Sequence, residues 1–499
     1  MDHALVLKSI SDNLASLPLL LPEILIVTTL GSVLVLALLL PQYQRYWLYP
    51  TALIGVLLAG FKKYWLGSQL TLHPMPPLCN QLLVLDPLAV FFCLLLLTLT
   101  LLLLLLMPPK AHSSLDVAYV VLLLGALLGS CLLVMAFHWL TIYLGLTLLA
   151  LTSTLLIGSY ATPQSAAASL KYLLYSMVTM AVMLWGVAYF YGFTNTLALS
   201  YPGLELSLQT VSGQIILTIL LLCLSNVFFV LAAVPYHFWV PDVYQGASVA
   251  VVAYLSTMPK VAAVAVLLRI FHQLLPQLES TLQVYAQHGL AALALLTIIV
   301  GNAVALSQKN LHRMMAYATV AQGGLLMAGI AASSDHQVGV LYYSAVYGIM
   351  GLGAWIGIKI LHDLTGGLCL QDCVGLGRKF PVLGGSITLV ILSLIGLPPT
   401  AGFIGKFLLF TTLWEHMQRT GSVLFATLLV ASLLSTVLSL YYYIKLPYRL
   451  FCKAAQTTPT MYNVGQGDQI ILVCLAILLL VGCFTANNWL QALGEWLGS

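Results

Sequence analysis

The stretch Leu94-Leu-Leu-Leu-Thr-Leu-Thr-Leu-Leu-Leu-Leu-Leu-Leu-Met107 decides the fold class. It carries no charge, and only two hydroxyls interrupt it. With Asp86-Pro-Leu-Ala-Val-Phe-Phe-Cys in front, it reaches the roughly 20 apolar residues a helix needs to cross a bilayer core. In hydrocarbon every backbone N–H and C=O must be satisfied within the chain, which leaves helices or a closed barrel. Barrel strands run about 10 residues with alternating polarity. This run does not alternate, so it is helical. The rest of the 499 residues agree: 61% are hydrophobic and 6% charged, with a mean hydropathy of +1.02. A soluble chain carries roughly 25% charged residues, so lipid must solvate most of this exterior.

The same length rule places spans near residues 18–41, 47–66, 86–107, 117–136, 138–158, 166–192, 212–234, 248–272, 282–306, 314–333, 337–361, 382–412, 422–446 and 468–486. The expectation is an all-α integral membrane protein of about 14 helices, forming one membrane domain over 1–499. Met1 to Pro18 is polar, reads as no cleavable signal, and leads into a full span. Short loops with Arg45, Lys110, Lys309, Arg313, Arg378, Lys379, Lys445, Arg449 and Lys453 face one side. Lys8, Lys62, Lys63, Arg419 and Arg269 are assigned to the other. The positive-inside rule then puts both termini on the outer, periplasmic face.

Two spans are interrupted. Pro235 opens Pro-Tyr-His-Phe-Trp-Val-Pro-Asp, with Pro241 close behind, and Gly396-Leu-Pro-Pro-Thr-Ala-Gly402 contains Pro398 and Pro399. Proline removes a helix hydrogen bond and breaks the helix. At membrane depth this is tolerated only where the break is buried or lines a wet cavity. Two breaks five spans apart point to two structural repeats, each with a discontinuous helix, as in many ion transporters.

A lysine at a helix centre in the membrane costs about 3 kcal/mol on insertion scales, so it is retained for a reason. Lys260, in Ser256-Thr-Met-Pro-Lys, and Lys406, in Gly402-Phe-Ile-Gly-Lys, lie inside spans, and Lys171 lies early in the sixth. Lys359 sits near a span end, where it can snorkel. Burial lowers a lysine pKa and a nearby carboxylate raises it. A lysine whose neighbours change can therefore load and release a proton without a cofactor. His138 and His237 can extend such a relay, since histidine titrates near neutral pH; each is equally readable as structural. Among the carboxylates only Glu23 lies clearly within a span, while Asp86 and Asp116 begin spans and Asp242 follows the first break.

The nine cysteines form no Cys-x-x-Cys pair, and Cys369 with Cys373 has no ligand cluster around it, so they read as small packed residues. This argues against haem, an iron–sulfur cluster or zinc on this chain. There is no glycine-rich nucleotide loop and no basic, aromatic-rich soluble surface for nucleic acid.

Four segments carry a family resemblance. Val234-Pro-Tyr-His-Phe-Trp-Val-Pro-Asp-Val-Tyr-Gln-Gly-Ala247 resembles the signature of subunit N (subunit 2) of respiratory complex I, the NADH–quinone oxidoreductase. Asn310-Leu-His-Arg-Met-Met-Ala-Tyr-Ala-Thr-Val320 resembles the entry to that family's tenth helix. Asp372-Cys-Val-Gly-Leu-Gly-Arg378 with Ser393-Leu-Ile-Gly-Leu-Pro-Pro-Thr-Ala-Gly-Phe-Ile-Gly-Lys-Phe407 resembles its twelfth-helix region, and Tyr441-Tyr-Tyr-Ile-Lys445 the end of its thirteenth.

The resemblance implies two inverted five-helix repeats, read as 117–272 and 282–446, flanked by helices over 18–107 and 468–486. It implies a membrane-arm subunit coupling electron transfer from NADH to quinone to proton translocation. FMN and iron–sulfur clusters would lie on partner subunits, and quinone would bind elsewhere in the complex. Partners would be the other membrane subunits and the NADH-oxidising arm, in the cell inner (plasma) membrane. Lys260, Lys406 and Lys171 match the family's lysines in its eighth, twelfth and sixth helices. Two positions depart from the pattern. Thr147 stands where the family usually has a fifth-helix glutamate, and Val230 where it has a seventh-helix lysine. The proton path of this copy is therefore expected to be altered. The alternative is a subunit of a cation/proton antiporter or related ion-uptake system, which shares the fold and the breaks.

Overall fold

A computed structural model describes residues 13, 14, 16–40, 44–70, 77–106, 114–160, 162–201, 211–333, 337–366, 372–453 and 465–497. Lys8, Lys110, Cys369 and most of the segment before Pro18 lie outside the described residues.

Helix occupies each of the fourteen expected spans. In chain order the helices are α1 (Leu21–Leu39), α2 (Gln44–Leu70), α3 (Pro87–Leu105), α4 (Ser114–Met135), α5 (Trp139–Gly158), α6 (Pro163–Thr194), α7 (Gly213–Cys223) and α8 (Ser225–Leu231). Then come α9 (Val240–Gly246), α10 (Val249–Gln273), α11 (Ser280–Ser307), α12 (Leu311–Ala332), α13 (Val338–Thr365), α14 (Leu376–Lys379), α15 (Pro381–Ile395) and α16 (Ala401–Thr420). The last four are α17 (Val423–Tyr443), α18 (Lys445–Phe451), α19 (Gln466–Phe484) and α20 (Ala486–Leu497). Among the described residues eleven helical segments are long and apolar enough to cross a membrane, and the pair α7–α8, bent by 47°, makes a twelfth. The other two expected spans are α2, which carries Lys62 and Lys63, and α15–α16, which is broken.

Local sequence sets many helix ends. Asp86 starts α3 by accepting from the Ala89 N–H at 2.8 Å, with Pro87 in the first turn. Asn310 starts α12 by accepting from the His312 and Arg313 N–H groups. Thr162 and Ser165 form a reciprocal capping box at α6. These side chains replace partners that the first helical N–H groups lack. Gly366 closes α13 in the left-handed conformation (φ +67°), which glycine adopts at no steric cost.

The chain divides into two compact units, Met1–Val227 with Val261–Val284, and Phe228–Lys260 with Tyr285–Ser499. In the first unit α1 packs on α2, and α4 on α5. Gly145 of α5 lies against the Leu133 backbone, where an added Cβ would sit at 3.1 Å. Charges assigned to loops from sequence turn out to be buried here. Lys63 is wholly buried in α2, and its Nζ donates to Glu23 Oε1 of α1 at 2.7 Å and contacts Met135 Sδ at 3.2 Å. Arg269 of α10 is buried too. It donates to both Asp86 carboxylate oxygens at 2.9 and 3.0 Å, and to the Val134 carbonyl at 3.0 Å. Each is held instead by a carboxylate, Lys63 by Glu23 within α1 and Arg269 by Asp86 at the start of α3.

In the second unit α13 packs against α15, α16 and α19. Lys359 of α13 does not snorkel either: its Nζ donates to Asp468 Oδ2 of α19 at 2.7 Å, and Asp468 is buried. Two glycines let α16 sit close. An added Cβ on Gly402 would lie 1.9 Å from the Ser393 carbonyl oxygen, and one on Gly405 would lie 2.6 Å from the Tyr343 ring.

Gly402→Ala forces backbone apart, and overpacking of this kind costs about 1–3 kcal/mol. The variant is expected to melt several degrees lower in detergent. Gly385→Ala, in the same region but with open space around it, is the control and should not. Equal melting temperatures would show that the α15–α16 junction yields freely.

Candidate functional site

The second helix break builds its own cation site. Helix α15 stops at Ile395 because Gly396 turns left-handed (φ +86°), and α16 begins only at Ala401. The last carbonyls of a helix lack intrahelical partners and carry the negative end of its dipole. Two of them are claimed by one residue. The buried Lys406, in the second turn of α16, donates from Nζ to the Leu394 and Ile395 carbonyls at 2.9 and 2.8 Å. Gly396 is needed for space as well as for φ, since an added Cβ would sit 2.8 Å from Lys406 Cδ. Ser393 Oγ accepts from the Gly402 N–H at 3.2 Å and closes the loop, which holds Pro398 and Pro399.

Helix α12 extends this site. Gln322 Nε2 donates to the same Leu394 carbonyl at 3.3 Å, and Tyr343 Oη of α13 donates in turn to Gln322 Oε1. One turn earlier on α12, the Thr319 carbonyl accepts from Lys260 Nζ of α10 at 3.0 Å. Tyr347 of α13 donates to the Ser256 carbonyl of α10 at 2.9 Å. Lys260 and Lys406 are thus joined through one face of α12, both buried, and neither has a carboxylate partner among the described residues. Carbonyl dipoles compensate a buried full charge only in part.

The first break is built without a lysine. Helix α8 ends at Leu231, and Ala232 is left-handed (φ +62°). The carbonyl of Phe229 accepts from the Ala232 N–H and from Trp239 Nε1 at 3.2 Å, and the Val234 N–H donates to Thr297 Oγ1. Pro235 lies in the break, and Pro241 is the second residue of α9. Gly323 of α12 meets this break, because an added Cβ there would lie 2.8 Å from the Leu231 carbonyl oxygen. Val230 is buried. His237 is buried in the break, and its Nδ1 has no hydrogen-bond partner among the described residues. Arg313 reaches Asp242 at 3.5 Å and Gln245 at 3.1 Å.

The remaining expected residues belong to the first unit. Lys171 is exposed on α6. His138 begins α5, with Nδ1 accepting from the Leu140 N–H at 3.2 Å. Thr147 is half-buried and donates to its own helix at the Leu144 carbonyl. Asn226 is buried and accepts from Thr179 Oγ1 at 2.9 Å, while its Nδ2 has no partner among the described residues.

Sequence reading missed Gln322 and Tyr343, neutral side chains with nothing to single them out. It also missed the pairing of Lys63 with Glu23. A signal for that pair existed, since a carboxylate inside a span demands a cation. Removing one member of a buried pair costs about 3–5 kcal/mol, whereas replacing both is often neutral. Lys63→Met is therefore expected to melt far below the parent, and Lys63→Met with Glu23→Leu to recover most of the loss. A double variant no better than the single one would show that the pair is not the source of the effect.

Residues 136–435 match the family described as NADH:quinone oxidoreductase/Mrp antiporter, TM. The chain belongs to this family. It is 34% identical to NADH-quinone oxidoreductase subunit N of Anaeromyxobacter sp. (strain Fw109-5), over 73% of this chain and 74% of that one. It is also 34% identical to the chloroplastic NAD(P)H-quinone oxidoreductase subunit 2 of Chaetosphaeridium globosum, over 90% and 88%. Among solved structures it superposes on a chain of respiratory complex I from Thermus thermophilus with bound aureothin, at a TM-score of 0.78 and 28% identity. That match covers 95% of this chain and 99% of that one. The family match takes in both breaks and Lys171, Lys260 and Lys406, while Glu23 and Lys63 lie outside it.

Proposed function

We propose that this chain is a membrane-arm subunit of a proton-translocating NADH:quinone oxidoreductase. The observation that carries the reading is the joined pair of buried lysines, with Lys406 seated on the carbonyls of a broken helix, in a chain of the subunit N family. Redox chemistry would belong to partners: FMN and iron–sulfur clusters in the NADH-oxidising arm, and quinone elsewhere in the complex. The membrane would be the cell inner membrane, with both termini on the periplasmic side. The two repeats, 117–272 and 282–446, would each contribute half of a proton route.

In this reading the chain moves protons, not electrons. Lys406 would give up a proton when the break shifts its two carbonyls, and Lys260 would supply the next through Gln322, Tyr343 and water. Lys171, His138 and His237 are the further titratable groups on which such a route would draw. Thr147 and Val230 cannot titrate, so this copy lacks two of the charges that its resemblance implies. Asn226 and Thr179 offer hydrogen bonds in the first unit but no proton of their own to lend. Proton transfer through this subunit is thus altered while its architecture is kept.

A tagged pull-down in mild detergent tests membership. NADH oxidation with a soluble acceptor, and flavin-bearing partners by mass spectrometry, are expected to come with the chain. If it emerges without NADH activity, the oxidoreductase reading is lost and ion exchange in vesicles becomes the assay.

For the proton route, the ratio of protons moved to NADH oxidised is measured in vesicles. Thr147→Glu with Val230→Lys is expected to raise that ratio. No change in the restored enzyme, or a full proton yield in the parent, overturns the altered path. Lys406→Met should lower any residual yield while leaving NADH oxidation by the soluble acceptor intact.

A further inference from the structure

The second unit carries a groove on its outside that the proton route does not use. It has a volume of about 610 Å³ and lies between α11 and α17, walled by Leu295, Ile299 and Leu306 on one side and Val430, Leu434 and Leu438 on the other. The two helices run parallel, since His288 pairs with Ser422 near one end and Lys445 reaches Leu306 at the other. The polar residues that line the groove are already committed: Thr427 Oγ1 donates to the Leu424 carbonyl of its own helix, and Asn302 and Ser435 bond each other. Asn302 Nδ2 donates to Ser435 Oγ at 2.8 Å, and Tyr442 Oη donates to Asn302 Oδ1 at 3.3 Å. The surface offered to an occupant is therefore hydrocarbon, and Ile299, Val430 and Leu434 are about half exposed along it.

The groove is open and elongated: from Leu295 to Leu306 a helix rises about 16 Å, a length along which an extended acyl chain lies. Charge selects the headgroup. At the Leu306 end, Lys445 Nζ lies 3.5 Å from the Leu306 carbonyl and over the Tyr441 ring at 4.6 Å. Lys309 follows Leu306 by three residues and is exposed. Neither lysine has a carboxylate partner among the described residues. Basic residues beside grooves between membrane helices are the usual recognition element for anionic lipid headgroups.

We infer that the α11–α17 groove is a binding site for an anionic phospholipid, with its acyl chains along the groove and its phosphate at Lys445 and Lys309. The lipid covers apolar surface between two helices of the unit that holds Lys406, and its phosphate supplies the counter-charge that the two lysines lack. This inference stands independently of the proton route.

The test is lipid retention. The full chain, with whatever partners it keeps, is delipidated in detergent and titrated with dioleoylphosphatidylglycerol or dioleoylphosphatidylcholine, and bound lipid is counted by native mass spectrometry. The parent is expected to hold phosphatidylglycerol in preference to phosphatidylcholine. Lys309→Gln and Lys445→Gln should each weaken phosphatidylglycerol about fivefold, the strength of one basic residue at an anionic surface, without changing phosphatidylcholine. Ala303→Trp, which fills the groove from its exposed wall, should remove the preferred lipid altogether. The surface lysine variants keep the test decisive if the tryptophan variant folds poorly. Equal retention of the two lipids by the parent overturns the inference. So does phosphatidylglycerol retention that ignores the lysine changes, or a neighbouring subunit's helix seated in the groove of the assembled complex.

Discussion

A helix broken inside hydrocarbon exposes carbonyls that water cannot reach, and something in the protein must take them. Each such group left alone costs several kcal/mol. The second unit answers in two ways. At the first break the chain satisfies itself: the Ala232 N–H and the Trp239 indole donate to the Phe229 carbonyl, and the freed Val234 N–H donates to the Thr297 hydroxyl. At the second a lysine does it, with Lys406 Nζ on Leu394 and Ile395. One solution is neutral and closed. The other places a proton-bearing group on the junction itself, and the proton chemistry proposed for this chain depends on that difference.

Helix α12 ties the two solutions together. Its Gly323 lets the Leu231 carbonyl approach, its Gln322 shares the Leu394 carbonyl with Lys406, and its Thr319 carbonyl holds Lys260. Three positions within five residues thus meet both breaks and both lysines. Nearly every residue of α12 is buried, so a shift at either break is felt along a rigid, packed element.

Among the described residues the cations set within the helices fall into two kinds. Lys63, Arg269 and Lys359 each have a carboxylate at hydrogen-bond distance, in Glu23, Asp86 and Asp468. Such pairs are self-neutralising and set helix register, because removing one partner strands the other. Lys260 and Lys406 have only dipoles around them. Paired charges suit structure and unpaired ones suit transfer, which is why the functional reading rests on these two and not on the cations held by carboxylates.

Composition and length alone settled that this chain crosses a lipid bilayer many times. Hydrocarbon forbids unpaired backbone, so long apolar runs become helices wherever they fall. Pro235, Pro398 and Gly396 likewise marked the breaks, because missing N–H groups and left-handed turns are local properties of those residues. Lys260 and Lys406 stood out for the same reason: a charge inside an apolar run is visible without knowing its neighbours. What surrounds a charge is not visible. Lys63 and Lys359 read as loop or snorkelling residues until Glu23 and Asp468 were found beside them, 40 and 109 positions away. Lys171, alike in sequence to the other intramembrane lysines, faces outward. Gln322 and Tyr343 carry no charge to betray them. Partnership depends on which helix faces meet, and no single span encodes that, so only the tertiary structure could separate a lysine held by a carboxylate from one held by backbone carbonyls alone.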